Sequence, residues 1–204
     1  MTPATRVPAP VHAHTPRPYE ERAARYATAA DRLTAGGLCD LHTLADIGAG
    51  GTELDYLLRA ERGWRGRYLP IDRWTGPAEL DLDHWVPPMR WDWFACLEIL
   101  EHLDSPMRLL EAICDAAMCG VVVTTSNPEV VDVLAMDPTH RTPLTRQQLA
   151  DAGLYTSLHN FYGTSNDGIC GVWYRAGLGV LERSITVPVY SQGKPPSAGH
   201  GSVK

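Results

Sequence analysis

Three glycines fall within four consecutive positions of "LADIGAGGTELDYLL", Leu44 to Leu58, between an apolar run and a leucine-spaced run. Glycine lacks a β-carbon, so such a junction is either a sharp turn or a place where something large lies against the backbone. Before it, "LHTLADI" reads as a short buried strand. After it, "TELDYLLRAERG" reads as a helix with Leu54, Leu57 and Leu58 on one face. A strand passing through a glycine loop into a helix leaves backbone N–H groups and a helix N-terminus at the strand's carboxyl end. Units of this kind build sheets whose strands alternate with helices.

The rest of the chain continues the alternation. "YEERAARYATAADRL", from Tyr19, has helical spacing and stops at "AGG". "RYLPID" and "DWFACLE" are strand candidates, and "SPMRLLEAICDAAMCG" is a helix with Ser105 as N-cap, Pro106 at its first position and Gly120 after its end. "GVVVTT" is a buried strand, and Thr145 and Gln148 form a capping box for a helix ending at Gly153. "YTSLHNFYG" and "GICGVWYR" have only the turn-rich "GTSNDG" between them, so they should close the sheet as an antiparallel hairpin. The expected fold is α/β and Rossmann-like: a doubly wound, mostly parallel seven-stranded sheet with helices on both faces and a C-terminal antiparallel hairpin. Ligands in such sheets sit at the carboxyl ends of the strands.

A length of 204 residues suits one domain. Residues 1–18, with Pro3, Pro8, Pro10, Pro16 and Pro18, and residues 191–204 read as flexible arms around a domain at 19–190. No apolar run approaches the roughly 20 residues that cross a bilayer, and no apolar signal core is seen, so no membrane partner and a cytoplasmic location are expected. The five cysteines have no C-x-x-C spacing and read as small buried hydrophobes, so no metal is expected. A net charge of −6 disfavours nucleic acid as a partner, since phosphate binding usually needs a basic face.

Twenty-odd residues beyond the glycines, Asp72 ends "RYLPID". An acid there can accept hydrogen bonds from both ribose hydroxyls of an adenosine. The dinucleotide fingerprint G-x-G-x-x-G would need glycine at position 53, where Glu53 stands. Asp46, just before the glycines, would repel a pyrophosphate and attract a cation. The sulfonium and ammonium of S-adenosylmethionine suit this charge better than NAD does.

"LADIGAGGTE" resembles the first motif, D-x-G-x-G-x-G, of the class I S-adenosylmethionine-dependent methyltransferases. Asp72 stands where that family keeps its ribose acid. "DLDHWVPPMRWDWFACLEILEHL" resembles the family's third and fourth strand region with its L-E-H-L phrase, and "PLTRQQLADAGL" resembles the helix before the closing strands in the small-molecule branch. The similarity runs from about Tyr19 to Arg175. Two departures stand out: Thr52 replaces the third motif glycine, and Pro70 replaces a glycine two residues before the acid.

The resemblance implies a cofactor, S-adenosyl-L-methionine, and a set of residues around it. Asp46, Gly48 and Gly50 would line the methionine end. Asp72 would hold the ribose, with Arg73 and Trp74 next to the adenine, and Asp81 and Leu82 would meet the adenine edge. Leu97 and Glu98, at the end of the fourth strand, would approach the methyl donor. His102, beside that donor, could take a proton from the acceptor, as could His140. The segment from Ser126 to Leu144 would cover the acceptor, with Asn127, His140 and Arg141 as its polar candidates.

The implied activity is methyl transfer by in-line displacement to an N, O or C nucleophile of a small molecule. Neither a D/N-P-P-Y/F phrase nor a Pro-Cys nucleophile follows the fourth strand, which argues against the DNA-base methyltransferases. A catalytically inactive cofactor-binding regulatory or partner protein is the alternative.

Overall fold

A computed structural model describes residues 19–72 and 80–176, with side chains from Ala23 onward. Arg73 and Trp74, both proposed arms and residues 177–190 lie outside the described residues. Helix α1 (Tyr19–Ala35) leads into β1 (Thr43–Ile47), α2 (Glu53–Arg62) and β2 (Arg67–Ile71). Then come β3 (Trp91–Leu97), a 3-10 turn (Leu100–His102), α3 (Pro106–Ala116) and β4 (Ala117–Ser126). Short helices α4 (Val133–Met136) and α5 (Arg146–Asp151) precede β5 (Tyr155–His159) and β6 (Gly168–Tyr174).

The strands form one mixed sheet in the order β2-β1-β3-β4-β6-β5. β1 pairs in parallel with β2 and β3, β3 pairs in parallel with β4, and β6 runs antiparallel to both β4 and β5. The closing hairpin is therefore as expected. The capping box is present too: the Thr145 side chain accepts from the Gln148 N–H while the Gln148 side chain accepts from the Thr145 N–H.

The sheet has six strands among the described residues, not seven. No strand forms at 80–90, and local chemistry explains why. Asp81 accepts from the Asp83 N–H at 3.0 Å, and the Asp83 carboxylate accepts from the Ser105 N–H at 2.7 Å. Arg108 donates to the carbonyls of Asp83 and His84. These bonds hold the segment in turns against the start of α3, and Pro87 and Pro88 have no N–H for a ladder.

A second correction concerns Gly120, which lies within β4 instead of ending a helix. A β-carbon there would come within 2.5 Å of the Trp93 ring and 2.7 Å of the Trp173 carbonyl. Close packing, not helix termination, requires glycine at this position. Ser105 does precede α3, with Pro106 in its first turn, but its side chain makes no capping bond.

Two apolar clusters cover the faces of the sheet. One packs α3 and the 3-10 turn through Leu100, Leu109, Leu110 and Ile113 against Ile47, Phe94 and Val123. The other packs α1 and α2 through Ala30, Leu33, Leu54 and Leu58 against Leu44, Trp93 and Val122. Burial of this many large side chains, each contributing roughly 1.5–3 kcal/mol, fixes the sheet and thereby the strand ends that carry the site. No helix among the described residues is long and apolar enough to cross a membrane.

Candidate active site

The glycine loop joins β1 to α2 in left-handed backbone. Gly48 has φ +71° and Gly50 φ +52°, values that L-residues rarely adopt. A β-carbon at Gly48 would overlap the Ile99 side chain, so the turn after β3 lies directly against the loop. The Gly48 N–H donates to the Ile71 carbonyl at 2.7 Å, and the Gly50 N–H donates to the Asp72 carboxylate at 3.0 Å. Asp72 is thus held against the loop by the ends of two neighbouring strands.

Thr52, where the motif departs from glycine, also has positive φ, at +63°. It precedes α2, and its side chain makes no capping bond. A β-branched residue in this conformation is strained, and the departure conserves the shape of the loop at an energetic cost.

Asp46 is buried, and its carboxylate accepts a 2.5 Å hydrogen bond from the Tyr68 hydroxyl. Burial raises its pKa to about 7 in spite of that bond, and the charges of Glu53, Asp72 and Asp55 push the same way. Burial and the neighbouring Asp46 also raise the Tyr68 hydroxyl, so it stays a donor. Glu53, Asp72 and Asp55 are thus near enough to act on Asp46, although Asp55 is itself paired with Arg59 at 2.8 Å.

At the end of β3 the chain makes a second strained turn. Glu98 has φ +56° while its N–H still donates to the Thr124 carbonyl. Its carboxylate lies 3.6 Å from Arg25 of α1, both side chains being 11% exposed, so the ion pair is well shielded from solvent. Leu97, the last residue of β3, is buried in the α1-side cluster.

Glu101 is fully buried, and its side-chain carboxyl oxygens lack a well-formed hydrogen-bond partner among the described residues. Burial, then the charge of Glu98, hold its carboxyl well above the ordinary range, with the Thr125 hydroxyl pulling the other way. The Glu101 main chain is used as well: its carbonyl accepts from the N–H groups of Arg141 and Thr142. The 3-10 turn is thereby tied to the segment that carries His140.

The structure brings His102 and His140 together. Their rings meet edge to face with centroids 4.6 Å apart. His140 Nδ1 lies 2.6 Å from the Val133 carbonyl, which can only accept, so Nδ1 carries the proton and Nε2 the lone pair. Thr139 donates its hydroxyl to Asp137 at 2.6 Å, which leaves its oxygen to accept from His102 Nδ1 at 2.9 Å. The network assigns the same tautomer to both rings.

The other candidates make the following contacts. Asn127 is buried; its Nδ2 donates to the Asn166 carbonyl and its Oδ1 accepts from the Glu129 N–H. Arg141 pairs with Asp104 on the surface. Asp81 is exposed and bonds His84, which lowers its pKa, while Leu82 packs at the border of the α3-side cluster. With no strand before them, these two residues are placed by the turn. A groove of about 470 Å³ is lined by Pro128, Val131, Leu134 and Pro143 of the segment expected to cover the acceptor.

Arg25 and Tyr68 were not singled out in the sequence. Tyr68 follows from register, since β1 and β2 pair in parallel with Leu44 opposite Tyr68 and Asp46 opposite Pro70. Nothing near Arg25 in the sequence signals its pairing with Glu98.

No protein-family model matches the chain, and no curated protein does. Solved structures do. An S-adenosylmethionine dependent methyltransferase from Mesorhizobium loti superposes with a TM-score of 0.52 at 14% identity, covering 74% of this chain and 100% of that one. A SAM dependent methyltransferase from Aquifex aeolicus gives a TM-score of 0.51 at 15% identity, covering 77% and 93%. A chain from the complex between the Haloferax volcanii Trm112 methyltransferase activator and the putative methyltransferase gives 0.50 at 16% identity, covering 72% and 92%. Together with the strand order and the glycine loop, these likenesses make the fold of this chain that of the class I S-adenosylmethionine-dependent methyltransferases.

Proposed function

We propose that this chain binds S-adenosyl-L-methionine at the carboxyl ends of β1, β2 and β3 and transfers its methyl group to a small molecule. The observation that carries this reading is the acid set at the glycine loop: Asp72 on the Gly50 N–H, with Asp46 buried at the end of β1 and Glu53 at the start of α2. An anionic pyrophosphate is repelled there, whereas a ligand with a sulfonium and an ammonium is attracted. The loop suits close approach by such a ligand, since Gly48 and Gly50 present backbone without side chains and Ile99 walls the far side.

Asp72 would accept from the ribose hydroxyls while keeping its bond to Gly50. Asp46 would act from beneath the loop, through charge or a bridging water, because Tyr68 occupies one of its oxygens. Gly48, Gly50 and the main chain of Leu97 would line the methionine end. Glu98, fixed by Arg25, would face the donor end. Arg73, Asp81 and Leu82 remain assigned to the adenine side on the family resemblance.

The cofactor supplies an activated methyl group, so the protein mainly has to align an incoming nucleophile with it. Where that nucleophile carries a proton, His102 and His140 each have Nε2 as the basic nitrogen. The groove along Pro128 to Pro143 is of a size for a small acceptor, an N, O or C nucleophile.

Incubation with methyl-labelled cofactor and a fractionated metabolite extract tests the reading. Label should appear in a low-mass product. Label found only in protein or nucleic acid would overturn the small-molecule acceptor, and tight cofactor binding without any transfer would favour a regulatory binder.

A further inference from the structure

A second cluster of ligand-type side chains lies at the opposite end of the sheet. His42 immediately precedes β1, Asp92 is the second residue of β3, and Cys119 is the third residue of β4. One ligand atom from each lies within 4.8 Å of the others, and all three residues are half-buried. Among the described residues no other group of three has this proximity.

Two features of the fold build the cluster. The β3–β4 register pairs Trp91 with Ala117 and Trp93 with Gly120, so Met118 and Cys119 together face the single Asp92. That extra residue is a β-bulge, a device that re-aims a side chain. The Asp92 carboxylate is oriented by Thr43, whose N–H and hydroxyl both donate to Oδ2, at 2.7 and 2.8 Å. This leaves Oδ1 for another partner. The Cys39 N–H donates to His42 Nδ1 at 3.3 Å, a long and exposed bond that metal binding gives up, because a neutral imidazole has one lone pair. Either the metal replaces that N–H at Nδ1, or the ring proton moves from Nε2 to Nδ1 and the metal binds Nε2.

We propose that His42, Asp92 and Cys119 bind a zinc-class divalent metal that ties together the amino ends of β1, β3 and β4. A thiolate and an imidazole select against calcium and magnesium, which take oxygen ligands. Nitrogen, sulfur and oxygen in one site suit tetrahedral zinc, with water at the fourth position. On binding, the Cys119 thiol gives its proton to solvent and the sulfur lone pair bonds the metal. The ligands come from three separate strand starts, so no short sequence motif announces them.

Cobalt is a spectroscopic stand-in. Titration of the full chain with Co²⁺ should produce thiolate-to-metal charge-transfer absorption, which Zn²⁺ should bleach, and Zn²⁺ should raise the melting temperature. Cys119→Ser should abolish the charge-transfer band. His42→Gln should keep the band but weaken zinc by at least about tenfold. Absence of the band in the wild type, or equal zinc affinity in the wild type and both variants, would overturn the proposal. The site is remote from the glycine loop, so cofactor titration of Cys119→Ser should match that of the wild type whatever the acceptor is.

Discussion

His102 and His140 come from different loops and meet edge to face, with ring centroids 4.6 Å apart. Each directs its Nδ1 proton into a fixed acceptor, Thr139 for one ring and the Val133 carbonyl for the other. If the pair accepts the proton of the nucleophile, removing its basic nitrogens should slow turnover without loosening the cofactor. His102→Ala and His140→Ala should each lower kcat by about a hundredfold, while cofactor affinity stays within about twofold. Unchanged kcat in both variants would assign the pair to packing alone.

Asp72 binds the Gly50 N–H and stands at the predicted ribose position. Asp72→Ala should weaken S-adenosylmethionine by roughly 1–3 kcal/mol, the range for losing charged hydrogen bonds. Calorimetry reads this directly. Unchanged affinity would place the ribose elsewhere.

Asp46 makes binding depend on pH. Its folded pKa is about 7 against an ordinary 3.8, chiefly through burial. Below pH 7 the folded carboxyl is mostly protonated, and a cationic ligand favours its ionised form. Cofactor binding should then release a proton, and affinity should fall as pH drops below 7, by up to about tenfold per unit.

Apo stability should run the opposite way. The folded state holds the proton more tightly than the unfolded chain, so this group stabilises at low pH and the contribution is lost as pH rises from 3.8 through 7. Titration at pH 6 and pH 8 in buffers of different ionisation enthalpy checks the proton count. Asp46→Asn should abolish the pH-dependent part of both effects.

Thr52 occupies a left-handed position before α2 without a capping bond. Thr52→Gly should raise unfolding free energy by about 1 kcal/mol, since relief of backbone strain exceeds the added chain entropy. Urea denaturation measures it. A destabilised variant would mean that the threonine methyl or hydroxyl contributes more than the strain costs.

Much of this arrangement was legible because it is local. The glycine loop, the capping box and the closing hairpin each depend on residues a few positions apart, and each formed as expected. Asp72 and Asp46 lie beside the loop because they sit at the ends of neighbouring strands. The third strand failed because Asp81 and Asp83 offered the backbone closer partners than a sheet ladder. Arg25 reaches Glu98 only through tertiary packing of α1, and His102 meets His140 only because the Glu101 carbonyl ties the two loops. The cysteines divide similarly. Cys96 and Cys170 are buried hydrophobes as expected, whereas Cys39 is exposed and Cys119 half-buried beside His42 and Asp92.

The carboxylate-rich loop is tested most directly by calorimetric titration of the wild-type chain with S-adenosylmethionine, its demethylated product and NAD. Both sulfur compounds should bind, S-adenosylmethionine should lose affinity in Asp46→Asn, and NAD should show no measurable heat. Tight binding of NAD with no binding of S-adenosylmethionine would contradict the account.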